Sequence, residues 1–125
     1  MLTVINVLEA KKIPWGIVTN KAERYTLPLL SQFDPLTKTA CVVAGDTLST
    51  CKPDPAPLLH ACQMLNVSPT HSWYIGDALT DVEASKRAGM HSCIAHYGYI
   101  PRGENPRLWE ADAYFSAPGD ILLHI

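Results

Sequence analysis

The sequence predicts an α/β fold of the doubly wound type, in which helices cover both faces of a parallel sheet. Three observations support this: short apolar runs recur along the chain, stretches with helical spacing separate them, and capping residues mark the ends of those stretches. Strands buried on both faces read as unbroken apolar runs. The predicted strands are Trp15–Thr19, Ala40–Ala44, Ser72–Ile75 and Ser92–His96.

The stretches between these runs predict helices. Apolar residues recur at helical spacing in three of them, which are Thr3–Lys11, Ala56–Leu65 and Thr80–Ala88. A further helix is expected to begin near Lys21, and Pro28 should break or restart it. The segment Gly98–Gly119 is rich in glycine and proline. We expect it to be a loop, with a short strand or turn near Ala113–Phe115.

Residues at the helix ends support these boundaries. Asp54 followed by Pro55 is typical of a helix start, with a capping side chain and a proline in the first turn. Thr80 and Glu83 have the spacing of a capping box, which would begin the next helix. Gly89 stands where that helix should end, because glycine readily adopts the left-handed conformation found there.

Composition narrows the class of protein. The 125 residues fit one domain, 47% of them are apolar, and no window of about 18 apolar residues predicts a membrane span. A net charge of −2, with ten scattered lysines and arginines, argues against a nucleic-acid binder. The four cysteines form no C-x-x-C pair, and no signal peptide is evident at the start. We therefore expect a cytoplasmic protein that binds neither nucleic acid nor membranes.

Two of the predicted strand ends carry groups suited to an anion. Thr19 and Asn20 follow the first strand and open a helix, whose free N–H groups attract anions; alternatively, Asn20 only caps that helix. Lys52 lies just ahead of another helix start, and the prolines near it would stiffen its position. Its positive charge suits a phosphate. Taken alone, Lys52 is better explained as a solvated surface lysine.

A third strand end carries two carboxylates. Asp77 follows Gly76 directly, and Asp81 comes four residues later at a helix start. Oxygen ligands of this kind suit Mg²⁺. The alternative is that both aspartates cap the helix or favour its dipole. Because Thr80 already offers a cap, this segment is the most specific local signal of a site.

Together, the three strand ends resemble the haloacid dehalogenase (HAD) superfamily. The hydroxyl, lysine and acidic motifs occur in the order typical of that superfamily. The short sequence segments near them resemble its phosphoglycolate phosphatase branch. The segments that carry the resemblance are Val18–Asn20, Gly45–Thr47, Lys52–Pro55, Gly76–Ser85 and Ala88–Met90. The resemblance extends from about residue 4 to the end of the chain, and it implies a Rossmann-like, HAD-like core.

The resemblance also implies roles for individual residues. Thr19 would donate its hydroxyl to a phosphate oxygen, with help from the backbone N–H of Asn20. Lys52 would neutralise the phosphate together with the attacking carboxylate. Asp77 would bind Mg²⁺ directly, and Asp81 would hold the metal through water or orient Lys52.

One motif of the family is absent. Its phosphatases begin with a strand ending in Asp-x-Asp, which supplies the nucleophile and the acid, and no two aspartates here are separated by one residue. The cap domain between the first two motifs is absent as well. Residues 1–125 are therefore expected to form a single partial core domain that corresponds to the C-terminal part of such a phosphatase.

In the family, the Asp-x-Asp strand lies at the centre of the sheet, between the strand ending at Thr19 and the strand ending at Gly76. Without it, three outcomes are open. The two edges close on each other, the sheet stays split, or another chain pairs with the open edge.

The leading hypothesis is a Mg²⁺-dependent phosphomonoesterase by lineage, inactive as this chain alone. Its substrate would be a phosphorylated small molecule such as phosphoglycolate or an amino-sugar 6-phosphate. The alternative is a non-enzymatic remnant or interaction domain that binds phosphate or Mg²⁺ weakly. A receiver-like domain fits less well, because its acidic pair would come early and its lysine late.

Overall fold

The structure, a computed structural model, describes residues 2–33, 39, 41–98, 100 and 102–125. Its helices are α1 (Leu2–Ala10), α2 (Glu23–Ser31), α3 (Ala56–Leu65) and α4 (Leu79–Ala88). Its strands are β1 (Ile17–Val18), β2 (Val42–Val43), β3 (Trp73–Gly76), β4 (His91–Ala95) and β5 (Ala113–Phe115). Short 3₁₀ helices occupy Pro69–His71, Pro106–Trp109 and Pro118–His124. Within these residues, no helix is both long and apolar enough to cross a membrane.

The five strands form two parallel sheets. In the larger sheet β4 lies between β3 and β5, and Ile75 of β3 stands opposite Cys93. In the smaller sheet β1 pairs with β2, with Val18 opposite Val43. All three strand pairings run parallel, as expected for strands that alternate with helices.

The strands β1 and β3 are not paired with each other in the part of the chain that the structure describes. A cavity of about 1060 Å³ separates them, and both edges line it, with Ile17 and Val18 on one side and Tyr74 and Ile75 on the other. The prediction of a sheet without its central strand is confirmed. Of the three outcomes left open by the sequence, closure of the two edges on each other is not seen within the described residues, which form a split sheet. Pairing of the open edge with another chain stays a prediction.

Helices cover the larger sheet on both faces. Side chains alternate along a strand, so neighbouring residues face opposite sides. On one side Cys93 and Phe115 pack with Val4 of α1 and with Ile121 of the last 3₁₀ helix. On the other side Tyr74 packs against a cluster formed by α3 and α4, whose buried members are Leu58, Ala84 and Ala88.

Several element predictions need correction. The first two strands are shorter than predicted, with two residues each. Pro28 does not break α2 but lies inside it. The carbonyl that loses a helical partner there belongs to exposed Arg24, where water can replace the missing N–H. The short strand expected near Ala113–Phe115 is confirmed, but the tail around it contains two 3₁₀ helices rather than only a loop.

Candidate active site

A lysine–aspartate pair stands at the carboxyl ends of the strands, beside the cavity. The Nζ atom of Lys52 lies 2.5 Å from Oδ1 of Asp81, and the two side chains are only 9% and 8% exposed. Such a pair of opposite charges, largely removed from water, needs well-placed hydrogen bonds to be tolerated. Lys52 comes from the loop before α3 and Asp81 from the first turn of α4, so the fold joins residues 29 positions apart.

Two further acceptors surround the Lys52 ammonium. Its Nζ atom donates to the hydroxyl oxygen of Tyr74 at 2.8 Å and to the carbonyl oxygen of Val18 at 3.4 Å. The Tyr74 hydroxyl itself donates to the same Val18 carbonyl at 3.0 Å. These bonds cross the gap between β1 and β3.

The second oxygen of Asp81 caps α4. Oδ2 accepts the backbone N–H groups of Asp77 and Ala78, at 3.0 and 3.1 Å. The predicted capping box of Thr80 and Glu83 is therefore wrong, because α4 begins at Leu79 with Ala78 as its N-cap, and Asp81 in the first turn bonds back to the Ala78 N–H. A Cβ atom at position 76 would collide with this carboxylate, so Gly76 is what allows Asp81 to lie against the end of β3.

The Asn20 side chain holds the backbone of Lys52 rather than capping a helix. Its Nδ2 atom donates to the Lys52 carbonyl at 3.1 Å, and its Oδ1 atom accepts the Lys52 N–H at 3.0 Å. The residue that caps α2 is Ala22, with no side-chain bond. Asn20 thus fixes the loop from which the Lys52 side chain extends.

Thr19 stands at the end of β1 and lines the same cavity as Lys52 and Asp77. Its backbone N–H bonds to Val43 of β2 at 2.9 Å. Its Oγ1 atom accepts the N–H of Lys21 at 3.1 Å. A hydroxyl has one proton and two acceptor sites, so this bond leaves the Thr19 proton able to be donated.

Asp77 follows β3 directly, next to the capping carboxylate of Asp81. The loop after β4 lies close above it, since a Cβ atom at Gly98 would come within 2.6 Å of the Asp77 side chain. Both Asp77 and Asp81 line the cavity. The structure therefore brings together the sequence-predicted residues Thr19, Lys52, Asp77 and Asp81 at one edge of the two sheets.

Tyr74 is the site residue that sequence reasoning missed. It precedes Gly76 by two positions and thus lies on the same face of β3. A tyrosine inside an apolar strand indicates that its buried hydroxyl needs a hydrogen-bond partner. The sequence therefore contained a signal for this residue. Burial, and to a smaller extent the charge of Asp81, raises the pKa of Tyr74 well above its usual value, so its hydroxyl stays protonated at neutral pH.

The carboxylates of the site determine whether it suits Mg²⁺. No group of three or more histidine, cysteine or acidic side chains comes together within the residues that the structure describes. However, Mg²⁺ in phosphate-handling sites uses only one or two carboxylates and takes water and phosphate oxygens as its other ligands. A pair of aspartates, one of them engaged by Lys52, meets this requirement.

A model of the haloacid dehalogenase-like hydrolase family matches residues 1–95. The chain belongs to this family. It is 41% identical over 118 residues to a phosphoglycolate phosphatase of Xylella fastidiosa, covering 92% of this chain and 50% of that protein. It is 35% identical over 121 residues to an N-acetylmuramic acid 6-phosphate phosphatase of Pseudomonas putida, covering 97% and 54%.

Solved structures show the same fold. A predicted phosphoglycolate phosphatase from Haemophilus somnus superposes with a TM-score of 0.89 at 26% identity, over 98% of this chain and 54% of that one. A HAD family hydrolase from Deinococcus radiodurans, with bound phosphate and sodium, has a TM-score of 0.82 at 21% identity, over 96% and 55%. This chain thus spans about half the length of the relatives that it matches.

Proposed function

We propose that this chain is the phosphate- and metal-binding part of a Mg²⁺-dependent phosphomonoesterase acting on a phosphorylated small molecule, and that residues 1–125 form one partial core domain. The observation that carries the proposal is the shielded Lys52–Asp81 pair beside Asp77 and Thr19, at the carboxyl ends of parallel strands. Ligands bind at such strand ends in open α/β sheets. The relatives named as phosphatases of phosphoglycolate and N-acetylmuramic acid 6-phosphate support the substrate class.

In this proposal Thr19 and Lys52 act on the phosphate. The Thr19 hydroxyl donates to one phosphate oxygen, and the backbone N–H of Asn20 assists it. The Lys52 ammonium neutralises negative charge on the phosphate, which matters because phosphoryl transfer depends mainly on positioning and charge neutralisation. The paired hydrogen bonds between the Asn20 side chain and the Lys52 backbone support this placement.

Asp77 is the direct ligand proposed for Mg²⁺, which when bound would neutralise charge on the phosphate oxygens. For Asp81, a water-mediated metal contact and the orientation of Lys52 were both open. The contacts of both its oxygens with Lys52 and with two backbone N–H groups favour the orienting role. Asp81 then keeps the ammonium at the mouth of the cavity while Asp77 faces the metal.

The nucleophile in this proposal comes from a strand that occupies the gap between β1 and β3. The edges of both strands line the 1060 Å³ cavity, and a strand there would pair with open edges on two sides.

A cytoplasmic location is also part of this proposal. Buried, reduced cysteines at positions 41, 62 and 93 are typical of a reducing compartment.

The test is hydrolysis of phosphoglycolate and a sugar phosphate, measured as phosphate release with Mg²⁺ present. The chain alone should give no detectable turnover, because it holds no carboxylate nucleophile matched to an acid. Residual electrostatic acceleration after such a loss is about 10³–10⁴-fold in a serine protease, and uncatalysed monoester hydrolysis is among the slowest reactions known. Mixing with a separately made N-terminal piece that carries an Asp-x-Asp strand should restore turnover, because that strand would fill the gap between β1 and β3.

Two controls sharpen this test. The same mixture made with Asp77→Asn should lose its turnover, and one made with Tyr114→Phe, on the outer strand β5, should keep it. Turnover by the isolated chain that Asp77→Asn abolishes would show that the missing aspartates are dispensable. A mixture that binds but never hydrolyses would favour the alternative, a non-enzymatic phosphate-binding domain, which the lack of an Asp-x-Asp pair supports.

A further inference from the structure

All three N–H groups of the Lys52 ammonium have an acceptor within the chain. An ammonium carries three donors, and three acceptors surround Nζ: Oδ1 of Asp81 at 2.5 Å, the Tyr74 hydroxyl oxygen at 2.8 Å and the Val18 carbonyl at 3.4 Å. To bind a phosphate oxygen directly, Lys52 must give up one of these bonds.

The three bonds differ in what their loss would cost. Release from Asp81 would separate two poorly solvated charges, which is expensive. Release from Tyr74 would remove a short bond. The contact with Val18 is the longest of the three, and the Val18 carbonyl also accepts the Tyr74 hydroxyl proton at 3.0 Å. When Lys52 leaves it, this carbonyl still has a donor.

We infer that Tyr74 is a positioning residue for phosphate binding, because its hydroxyl keeps the Val18 carbonyl satisfied while the third N–H of Lys52 turns to the ligand. The hydroxyl does two things at once. Its oxygen accepts from Lys52 and holds the ammonium in place. Its proton goes to the Val18 carbonyl, which at 3.0 Å is nearer than the other acceptor, Oδ1 of Asp81 at 3.5 Å. This inference rests on the proposed function, since it concerns the same lysine and the same ligand. It applies to the chain with the gap between β1 and β3 unfilled, where no described strand pairs with β1 on the side of the Val18 carbonyl.

Tyr74→Phe separates this role from simple packing. The phenyl ring keeps the contacts with Leu58, Ala84 and Ala88, but Val18 would then depend on Lys52 for its hydrogen bond. Binding phosphate would leave that part-buried carbonyl without a donor, a loss that weakens the affinity. We expect the dissociation constant for inorganic phosphate to rise about fivefold.

The experiment is a titration of the 125-residue chain with inorganic phosphate, followed by NMR, on four proteins. These are the unsubstituted chain, Tyr74→Phe, Lys52→Met and Tyr114→Phe. Tyr114 is the matched control, because its hydroxyl also donates to a backbone carbonyl, that of Arg107 at 3.3 Å, away from the cavity. Lys52→Met should abolish binding, Tyr74→Phe should weaken it, and Tyr114→Phe should leave it unchanged.

The outcomes separate the two proposals. If Lys52→Met abolishes binding and Tyr74→Phe does not change it, the role of Tyr74 is refuted and the proposed function stands. If Lys52→Met binds as well as the unsubstituted chain, the proposed function is refuted and the role of Tyr74 falls with it.

A second measurement needs no substitution at Tyr74. In the unsubstituted chain, phosphate should shift the Lys52 ammonium signal, while the Tyr74 hydroxyl proton stays protected from exchange with water because it remains bonded to Val18. Loss of that protection on phosphate binding would overturn the inference, even if the Tyr74→Phe protein failed to fold.

Discussion

The two sheets differ in how much of the core they contain. In the larger sheet β4 is buried from Ser92 to Ala95 and is paired on both sides. The smaller sheet has two strands of two residues each, and the helix that follows β1 exposes Tyr25 and Leu29 to solvent. Most of the hydrophobic stabilisation therefore comes from the larger sheet and the elements that pack on it.

The candidate site draws on both parts. The larger sheet supplies Tyr74 and Asp77, and α4 next to it supplies Asp81. The smaller sheet supplies Thr19 and the Val18 carbonyl, while Lys52 reaches the site from a loop. A well-packed part thus positions the acidic groups, and a less packed part delivers the phosphate-binding groups to them.

The strongest test of this difference in packing uses the two phenylalanines of the chain. One belongs to the larger sheet, and the other follows α2, the helix that comes after β1 of the smaller sheet. Phe115 is 2% exposed and stacks against Trp73, whereas Phe33, just beyond α2, is 53% exposed. Phe115→Ala should lower the free energy of unfolding by about 4 kcal/mol, because it leaves a cavity in the core. Phe33→Ala should change it by less than about 0.5 kcal/mol.

Urea denaturation measures both values. Similar losses in the free energy of unfolding for the two substitutions would mean that the segment after α2 packs as tightly as the core of the larger sheet, and the contrast between the two parts would be wrong.

The next effect concerns the junction of the two parts. Asp81→Asn should lower the free energy of unfolding by about 3 kcal/mol, because it leaves the shielded Lys52 charge without its partner. The control is Glu110→Gln, which breaks the exposed pair with Lys86 at 3.9 Å. An exposed pair contributes little, so that change should cost less than about 0.5 kcal/mol. Equal costs would argue against a shielded pair at the junction.

The smallest effect is a pH dependence within the larger sheet. Burial raises the pKa of the Cys93 thiol to about 11, from an ordinary value of 9.0. Between these two pH values the unfolded chain loses this proton and the folded chain keeps it, so the free energy of unfolding falls as pH rises. In Cys93→Ala that fall should be shallower. The control Cys51→Ala, at an exposed cysteine, should follow the unsubstituted chain.

Local patterns were enough to predict much of this fold. Ala56–Leu65 begins and ends where its apolar spacing places it, and the Asp54 carboxylate accepts the N–H of Ala56 at 2.8 Å. The order of strands and helices also followed from runs of apolar residues, as did the parallel sheet. These features depend on neighbours within one turn or one strand, which the sequence displays directly.

Other features depend on residues distant in the chain and were not predictable. Thr80 and Asp81 are both suitable capping residues, and the choice of Asp81 depends on Lys52, which lies 29 positions away. The Asn20 side chain could have capped α2, but it bonds to the Lys52 backbone 32 positions away. In each case the sequence offers two local solutions, and contacts with distant residues decide between them.

The gap between β1 and β3 has a consequence for the cooperativity of unfolding. Within the described ranges, no backbone hydrogen bond joins one sheet to the other, so the coupling between them rests on side chains such as Tyr74, Lys52 and Leu58. Two units joined in this way can open separately. An anion held by both Thr19 and Lys52, near Asp77, would add contacts to both units at once, and it would make the whole chain unfold more nearly as a single unit.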